Sequence, residues 1–215
     1  DAIEHGDERI AALEARTAEA ADAADALAAR LHASRLKAAP AFEKRILATL
    51  AQLGMPDTLF RIGITDTGAP TRTGRDRVEF LFTANRTAAP QPVDRIASGG
   101  ELSRVMLAIK ALLAERMQLP TIIFDEIDTG VSGRIADAMG RIISELASTM
   151  QVVDITHLPQ VASKGETHFV VRKREGHTGI ARLGDEARVE EIAKMLSGSE
   201  ITPAALEQAR ILLGR

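Results

Sequence analysis

The sequence contains no cysteine, no tryptophan and no tyrosine. Without cysteine, the chain cannot form disulfides, thiolate zinc sites or a cysteine nucleophile, and this composition fits a reducing cytoplasm. Only 3% of its 215 residues are aromatic, which disfavours a surface that stacks the bases of single-stranded nucleic acid. The net charge is −3, so any contact with DNA has to use a local basic patch.

Two longer patterns are also absent. No run approaches the ~20 apolar residues of a membrane-spanning helix, and residues 1–9 are too polar for a signal peptide. We therefore expect a cytoplasmic protein with no membrane partner. The chain also lacks the glycine-rich loop ending in Gly-Lys-Ser or Gly-Lys-Thr that cradles nucleotide phosphates. For this reason we do not expect it to bind or hydrolyse a nucleotide well by itself.

The first 37 residues are rich in alanine and carry a diluted heptad pattern. Two positions in each heptad are mostly apolar or small, as at the seam of a coiled coil. They are Ile3, Ile10, Thr17, Ala24 and Leu31, and Gly6, Leu13, Ala20, Leu27 and Ser34. We predict one arm of an antiparallel coiled coil over residues 1–38, the alternative being a surface helix on a core. Because the chain begins inside this pattern, we expect a piece of a longer protein.

Pro40 predicts a break after this arm, because proline removes a helical hydrogen bond. A second helix is expected over residues 41–53, where apolar residues share one side. Residues 59–65 and 77–83 are expected to form a hairpin around a polar loop. Residues 84–95 are expected to form an exposed connection.

Helices and apolar strands alternate from residue 100 onward. The strands at residues 121–124 and 152–156 are nearly continuous apolar runs, which is typical of strands buried on both faces of a parallel sheet. A hairpin around Gly176 is expected next. Two short helices, at about residues 186–196 and 203–213, complete the predicted chain.

A glycine-containing loop follows Ala97 at the position where a helix is predicted to begin. It consists of Ser98, Gly99, Gly100 and Glu101. Paired glycines let a ligand approach the backbone closely, and free N–H groups at a helix N-terminus attract phosphate. An ordinary serine cap would explain the same residues. They become a candidate phosphate-binding loop only in combination with a second motif.

The second motif is the pair Asp125 and Glu126 at the end of an apolar strand. Ligands of doubly wound sheets gather at the carboxyl ends of strands. An aspartate there can hold Mg²⁺ through water, and the adjacent glutamate can orient and deprotonate a water molecule. A solvated acidic turn is the alternative, although it accounts less well for a position one helix after the glycine loop.

His157 follows the next apolar strand, so we expect it at the same edge of the sheet. It could donate a hydrogen bond to a γ-phosphate, while a purely structural histidine is the alternative. Asp154 is a charged residue inside this strand, and burial of an unpaired charge is costly. We expect Asp154 to have a partner or to lie near a sheet edge.

The order of glycine loop, acidic strand end and strand-end histidine resembles the C-terminal half of ABC ATPase heads over about residues 97–163. Residues 98–104, 125–133, 156–162 and 188–198 more closely resemble the RecN family, SMC-like ABC ATPases of bacterial DNA repair. The resemblance covers nearly the whole chain. It implies an α/β fold over residues 39–215, the C-terminal lobe of an ABC-type ATPase head. The lobe has a mostly parallel sheet with flanking helices and is preceded by the coiled-coil helix.

The same resemblance implies roles for the site residues. Asp125 would be the Walker B ligand of Mg²⁺, Glu126 the catalytic base and His157 the switch residue. Residues 128–133, including Asp128 and Ser132, would form the D-loop, which crosses a dimer interface. Ser132 stands where many ABC and SMC proteins carry aspartate.

The family also implies cofactors and partners. Ser98, Gly99, Gly100 and Glu101 would bind the ATP held by the opposite subunit of a homodimer formed through the heads. Glu101 replaces the glutamine of transporters, as is usual in the SMC-like group. The resemblance further implies three partners: an N-terminal Walker A half of the same protein, Mg²⁺, and DNA with double-strand ends. It also implies a cytoplasmic, nucleoid-associated protein.

Two other functions stay open. A nucleotide-binding domain of an ABC transporter would share the three motifs but would not have the heptad arm. A non-catalytic coiled-coil scaffold is disfavoured because the carboxylate pair and the histidine are all present. For DNA contact, the sequence offers only the short basic run Arg172, Lys173 and Arg174, which a solvated strand end explains better.

Overall fold

The computed structural model describes residues 2–96, 98–174, 177–198 and 200–215. The parts of the predictions that fall on Ala97 and Gly176 lie outside these residues. The chain divides into two compact units. The first comprises Asp1–Leu47 and Leu59–Arg95, and the second comprises Ala48–Thr58 and Ile96–Arg215.

The first unit contains most of a long helix and an antiparallel sheet. The elements are helix α1 (Ala2–Gln52), strands β1 (Leu59–Thr71), β2 (Gly74–Thr83) and β3 (Gln91–Pro92), and a 3-10 helix at Val93–Arg95. The rings of Phe42 and Phe80 stack with centroids 5.9 Å apart, and Phe60 lies against Phe80 at 5.7 Å. Aromatic packing therefore joins the helix to the hairpin in this unit.

The predicted helix break at Pro40 is wrong, because α1 continues through it. An interior proline costs a helix about 3 kcal/mol, and contacts on both sides of Pro40 offset that loss. Before it, Arg35 Nη1 donates to Asp76 Oδ2 at 3.0 Å. After it, Glu43 Oε1 accepts a hydrogen bond from the backbone N–H of Ile62 at 2.8 Å. Both halves of the helix are thus held by the same hairpin.

The hairpin is longer than predicted, and its polar stretch is paired rather than looped. The register runs from Leu59 opposite Thr83 to Asp66 opposite Asp76, and resumes after an irregularity with Thr71 opposite Gly74. Arg75 Nε donates to Asp66 Oδ2 at 2.7 Å, so polar cross-strand contacts replace apolar alternation here. The connection predicted as exposed over residues 84–95 contains the short strand β3 and the 3-10 helix.

Part of the predicted coiled-coil seam lies on an exposed surface of α1. Ile10, Leu13 and Leu27 are all more than half exposed. Within the described residues, no second helix covers them. A coiled-coil arm over residues 1–38 therefore stays a prediction that needs a partner helix.

The second unit contains the alternating helices and strands. Its elements are α2 (Gly99–Met117), β4 (Thr121–Asp125), α3 (Gly133–Ala147), β5 (Gln151–Ile155), α4 (Pro159–Ala162), β6 (Phe169–Arg174), β7 (His177–Arg182), α5 (Asp185–Ser197) and α6 (Pro203–Leu212). β6 and β7 form the expected antiparallel hairpin. α5 and α6 bury Val189, Ile192 and Ala209 between them. The end of the chain thus agrees with the sequence-based prediction.

β4 and β5 pair in parallel, as predicted, from Thr121 opposite Gln151 to Asp125 opposite Ile155. Phe124 is fully buried in a core with Leu107, Met139 and other residues of α2 and α3. The opposite face is open, because Ile123, Val153 and Ile155 are 61%, 43% and 51% exposed. The prediction of burial on both faces is therefore wrong for this chain, whose described helices cover one face of the strand pair.

Candidate functional site

The glycine loop forms the N-terminus of α2. Ser98 is the N-cap in an extended conformation, and its backbone oxygen accepts from Leu102 N–H at 3.0 Å, but its side chain makes no capping hydrogen bond within the described residues. Arg104 Nε donates to Gly100 O at 3.0 Å, and Arg104 Nη1 reaches Leu53 O at 3.3 Å. The loop is held from its C-terminal side, while Ser98 and Gly99 are exposed.

Gly100 lies directly against Gly130, which belongs to the predicted D-loop. A Cβ on Gly100 would lie 2.7 Å from Gly130 O, and a Cβ on Gly130 would lie 3.2 Å from Gly100 N. Gly130 also has φ +77°, a conformation that glycine adopts without strain. The two predicted loops are therefore in backbone contact within one chain, and side chains at either position would separate them.

The acidic pair lies where β4 ends and the next turn begins. Asp125 and Glu126 are both exposed, and the backbone N–H of Glu126 donates to Ile155 O at 2.9 Å. Thr129 closes the turn by donating to Glu126 O from its backbone N–H at 3.2 Å and from its Oγ1 at 2.9 Å. Glu126 has φ 48°, which is strained for a residue other than glycine. Both carboxylates are thus presented to solvent at the carboxyl end of the sheet.

Asp128 is turned inward from the same loop and is only 1% exposed. Thr156 Oγ1 donates a hydrogen bond to Asp128 Oδ2, and Thr156 Oγ1 accepts from the backbone N–H of Leu158 at 2.9 Å. His157 Nδ1 lies 3.8 Å from Asp128 Oδ1, and the His157 side chain is 64% exposed. The loop after β4 is therefore attached to the loop after β5, which carries the histidine.

Asp154 lies in β5 opposite Phe124. In the described part of the chain β5 is at the edge of its sheet, one of the two expected environments of Asp154. Its Oδ1 is buried and has no hydrogen-bond partner among the described residues. Burial, and then the charge of Asp128, raise the pKa of Asp154 to about 7. The carboxyl therefore changes its protonation state near neutral pH.

The structure brings most of the predicted residues to two neighbouring places. Asp125 is the last residue of β4, Glu126 follows it, and His157 comes shortly after the end of β5. The loop from Ser98 to Gly100 contacts Gly130, which lies in the loop after β4. Ser132 is exposed at the start of α3, and Glu101 lies in the first turn of α2.

Two contacts were not predicted from the sequence. Thr156 is the anchor of Asp128, and its position immediately before the strand-end histidine is the only sequence signal for that role. Arg104 fixes the glycine loop, although nothing in the sequence distinguishes it from other arginines on helices. The roles of the site residues stay predictions.

Sequence comparison finds DNA repair proteins named RecN. The chain is 43% identical over 191 residues to the protein of Rickettsia conorii, covering 87% of this chain and 35% of the relative. For Mycobacterium tuberculosis strain H37Rv the identity is 41% over 233 residues, covering 98% and 40%. For Vibrio cholerae it is 36% over 216 residues, covering 98% and 39%. The chain therefore spans well under half the length of these relatives. No protein-family model matches it.

Structure comparison finds SMC heads. An SMC head domain with coiled coil and joint from Pyrococcus yayanosii matches with a TM-score of 0.60 at 19% identity, covering 74% of this chain and 29% of that one. A chain from work on ATP-driven dimerization and DNA-stimulated activation of SMC ATPases matches with a TM-score of 0.57 at 16% identity, covering 79% and 99%. At these identities the likeness concerns the fold, and it confirms the predicted α/β head architecture.

No helix in the described part of the chain has both the length and the apolar character needed to cross a lipid bilayer. The sequence matches extend over the glycine loop, both strand ends and the late helices, which are the segments that carried the predicted resemblance. Sequence and fold thus give the same result. The chain is a relative of the bacterial DNA repair protein RecN over nearly its whole length, and it has the fold of an SMC head domain.

Proposed function

We propose that this chain is the C-terminal half of an SMC-like ATPase that acts in DNA double-strand-break repair and recombination. It supplies the signature loop, the Walker B strand end, the D-loop and the switch histidine for Mg·ATP-dependent dimerisation of two heads and for hydrolysis. The main support is that two exposed carboxylates and a histidine lie at the carboxyl ends of the paired strands β4 and β5. The relatives named RecN support the role in DNA repair.

Asp125 is suited to hold Mg²⁺. The ion takes few protein carboxylates and keeps several waters and phosphate oxygens, so one exposed carboxylate at a strand end is a sufficient protein contribution. The described residues contain no cluster of three or more acidic or histidine ligands that could hold a metal ion. When bound with ATP, Mg²⁺ would neutralise charge on the phosphates.

Glu126 and His157 are suited to act on the terminal phosphate. Hydrolysis of ATP depends mainly on positioning and charge stabilisation. Glu126, fixed by its backbone hydrogen bond to Ile155, would orient the attacking water and accept its proton. His157 is mostly exposed and would donate a hydrogen bond to a γ-phosphate oxygen.

The glycine loop is suited to an ATP molecule held by another subunit. The side chain of Ser98 is not used by its own helix, and a Cβ on Gly99 would meet nothing within 4 Å in the described chain. Free N–H groups at the start of the 19-residue helix α2 attract phosphate. Ser98, Gly99, Gly100 and Glu101 would therefore complete the partner's site, with residues 128–133 crossing the dimer interface.

The N-terminal Walker A half of the same protein is the proposed partner within each head. The phosphate-cradling loop is not present in this sequence. The open face of the β4–β5 pair, formed by Ile123, Val153 and Ile155, supports a second structural layer there, because exposed contiguous apolar faces mark interaction surfaces. The exposed seam of α1 supports pairing with the other arm of a coiled coil.

The central test is ATP turnover by this chain mixed with the N-terminal Walker A half. We expect turnover only in the mixture. Glu126→Gln should lower it by roughly 10²–10⁴-fold, the usual contribution of a general base, and should stabilise an ATP-bound dimer. Glu145→Gln, on an exposed part of α3, is the matched control and should keep full turnover. Normal turnover by Glu126→Gln would remove Glu126 from its role.

The role of the glycine loop in the opposite subunit's site has a separate test. Ser98→Arg should leave ATP binding intact but prevent head dimerisation, measured by light scattering of the mixture with ATP. Ser144→Arg, at an exposed position on α3, should dimerise normally. A dimer that still forms with Ser98→Arg would show that the loop does not act across the interface.

DNA is the remaining partner in this proposal. The exposed run Arg172 and Lys173 on β6 is the candidate contact, although Arg172 also lies 3.5 Å from Glu191. Binding of double-strand ends by the reassembled head should weaken with salt. Equal binding by a Lys173→Glu variant would exclude this strand as the contact.

A further inference from the structure

The loop after β4 and the loop after β5 are joined through one buried carboxylate. Asp128 is almost fully buried, and its Oδ2 is fixed by the hydroxyl of Thr156. The Thr156 hydroxyl is itself oriented by the backbone N–H of Leu158. Rotation of the Asp128 carboxylate is therefore restricted by a hydrogen bond and by packing, which also fixes the direction of Oδ1.

Asp128 Oδ1 is buried and has no hydrogen-bond partner among the described residues. An unsatisfied buried acceptor costs about 1–3 kcal/mol, so a donor close to it should be drawn toward it. Nδ1 of His157 lies 3.8 Å away, just beyond hydrogen-bonding distance. Because the His157 ring is mostly exposed, a small rotation of that ring can close the gap without disturbing the core.

We propose that Asp128 is a positioning residue for His157, whose Nδ1–H donates to Asp128 Oδ1. This contact holds the neutral ring in the Nδ1–H tautomer and leaves Nε2 on the exposed part of the ring. A carboxylate on Nδ1 also stabilises the doubly protonated ring, which can donate from Nε2 to a phosphate oxygen. The inference deepens the proposed function, since it rests on His157 as the residue that contacts the phosphate.

Asp154 is the alternative donor to Asp128 Oδ1 that the experiment has to test. Its own Oδ1 is also buried without a partner in the described chain, and burial together with Asp128 raises its pKa to about 7. A protonated Asp154 could therefore donate to Asp128 in place of His157. The two arrangements differ in one observable, the tautomer of the His157 ring.

Long-range ¹H–¹⁵N correlation spectra of the imidazole rings of this chain, without nucleotide and above neutral pH, test the proposal. His157→Gln assigns the His157 signals. We expect a protonated Nδ1 and an unprotonated Nε2 in the wild-type ring. Asp128→Asn should abolish this preference, whereas Asp154→Asn should leave it unchanged. The signals of His168 report whether each variant is folded.

A wild-type His157 in the Nε2–H tautomer would overturn the inference, and this result is decisive even if Asp128→Asn fails to fold. A tautomer that changes in Asp154→Asn but not in Asp128→Asn would also overturn it. The proposed function is tested separately by turnover of His157→Gln with the Walker A half. Full turnover there, with the Nδ1–H tautomer observed, would refute the catalytic role while leaving the contact to Asp128 intact.

Discussion

Replacement of Asp154 by asparagine should stabilise the chain at alkaline pH. The Asp154 carboxyl lies in β5 with a buried oxygen that lacks a partner in the described residues. Burial, followed by repulsion from Asp128, raises its pKa to about 7. The folded chain therefore holds the Asp154 proton more tightly than the unfolded chain does. The resulting stabilisation is complete below the ordinary pKa of 3.8 and is lost as the pH rises through about 7.

The magnitude follows from the two pKa values. A pKa of about 7 against the ordinary value of 3.8 corresponds to roughly 4 kcal/mol, at about 1.36 kcal/mol per pH unit. Because solvent reaches part of the side chain, we discount this ceiling by half, to about 2 kcal/mol. Asparagine is neutral and has the same shape. The free energy of unfolding of Asp154→Asn should therefore exceed that of the wild type by about 2 kcal/mol near pH 9. Near pH 5 the difference should be less than half as large.

Urea denaturation of both chains at several pH values between about 5 and 9 measures this difference. Burial lowers the pKa of His168, but the contribution of His168 to stability is common to both chains and cancels in the difference. Asp94→Asn, at an exposed position, is the control and should show no such gain. A difference between Asp154→Asn and wild type that stays constant across this pH range would refute the reasoning.

Three further variants test packing. Gly100→Ala brings a methyl carbon to 2.7 Å from Gly130 O and should lower the free energy of unfolding by about 1–3 kcal/mol. The control is Gly99→Ala, whose methyl carbon meets nothing within 4 Å in the described chain. This control should unfold like the wild type. Asp76→Ala removes the carboxylate that accepts from His32 and Arg35 of α1. It should speed tryptic cleavage within the hairpin, followed by mass spectrometry. Arg188→Ala removes the guanidinium that binds backbone carbonyls of the segment after α4. The free energy of unfolding should fall by about 2 kcal/mol, measured as a lower thermal midpoint.

The α/β part of the fold was predictable because its periodicities are strong. The apolar runs that became β4 and β5 and the 3.6-residue pattern of α2 each identify one element. The rule that ligands gather at the carboxyl ends of parallel strands then brings Asp125, Glu126 and His157 to one edge. These conclusions need only local sequence and the direction of the strands.

The wrong predictions at Pro40 and in the hairpin depend on contacts between residues that are not neighbours in the sequence. Pro40 stays inside α1 because Arg35 and Glu43 bind the hairpin on either side of it. The polar part of the hairpin pairs because Asp66 and Arg75 meet across the strands. No local pattern contains this information, since it depends on which side chains become neighbours after folding.

The environment of Asp128 could not be predicted from the sequence either. Its neighbours in the chain are typical of an exposed loop, and the sequence gives no sign that its carboxylate is buried beneath Thr156. The open face of β4 and β5 was missed for a different reason. An apolar strand pattern indicates that a face becomes covered, but it does not identify the polypeptide that covers it.

The left-handed backbone of Glu126 has a consequence for attempts to make this protein more robust. A side chain at φ 48° costs about 1 kcal/mol relative to glycine, so Glu126→Gly should relieve strain in the turn after β4. A selection for thermal resistance alone would therefore favour loss of the carboxylate that we propose as the catalytic base. At this position, greater stability and catalytic competence are alternatives, and any engineered form should be chosen by turnover as well as by melting temperature.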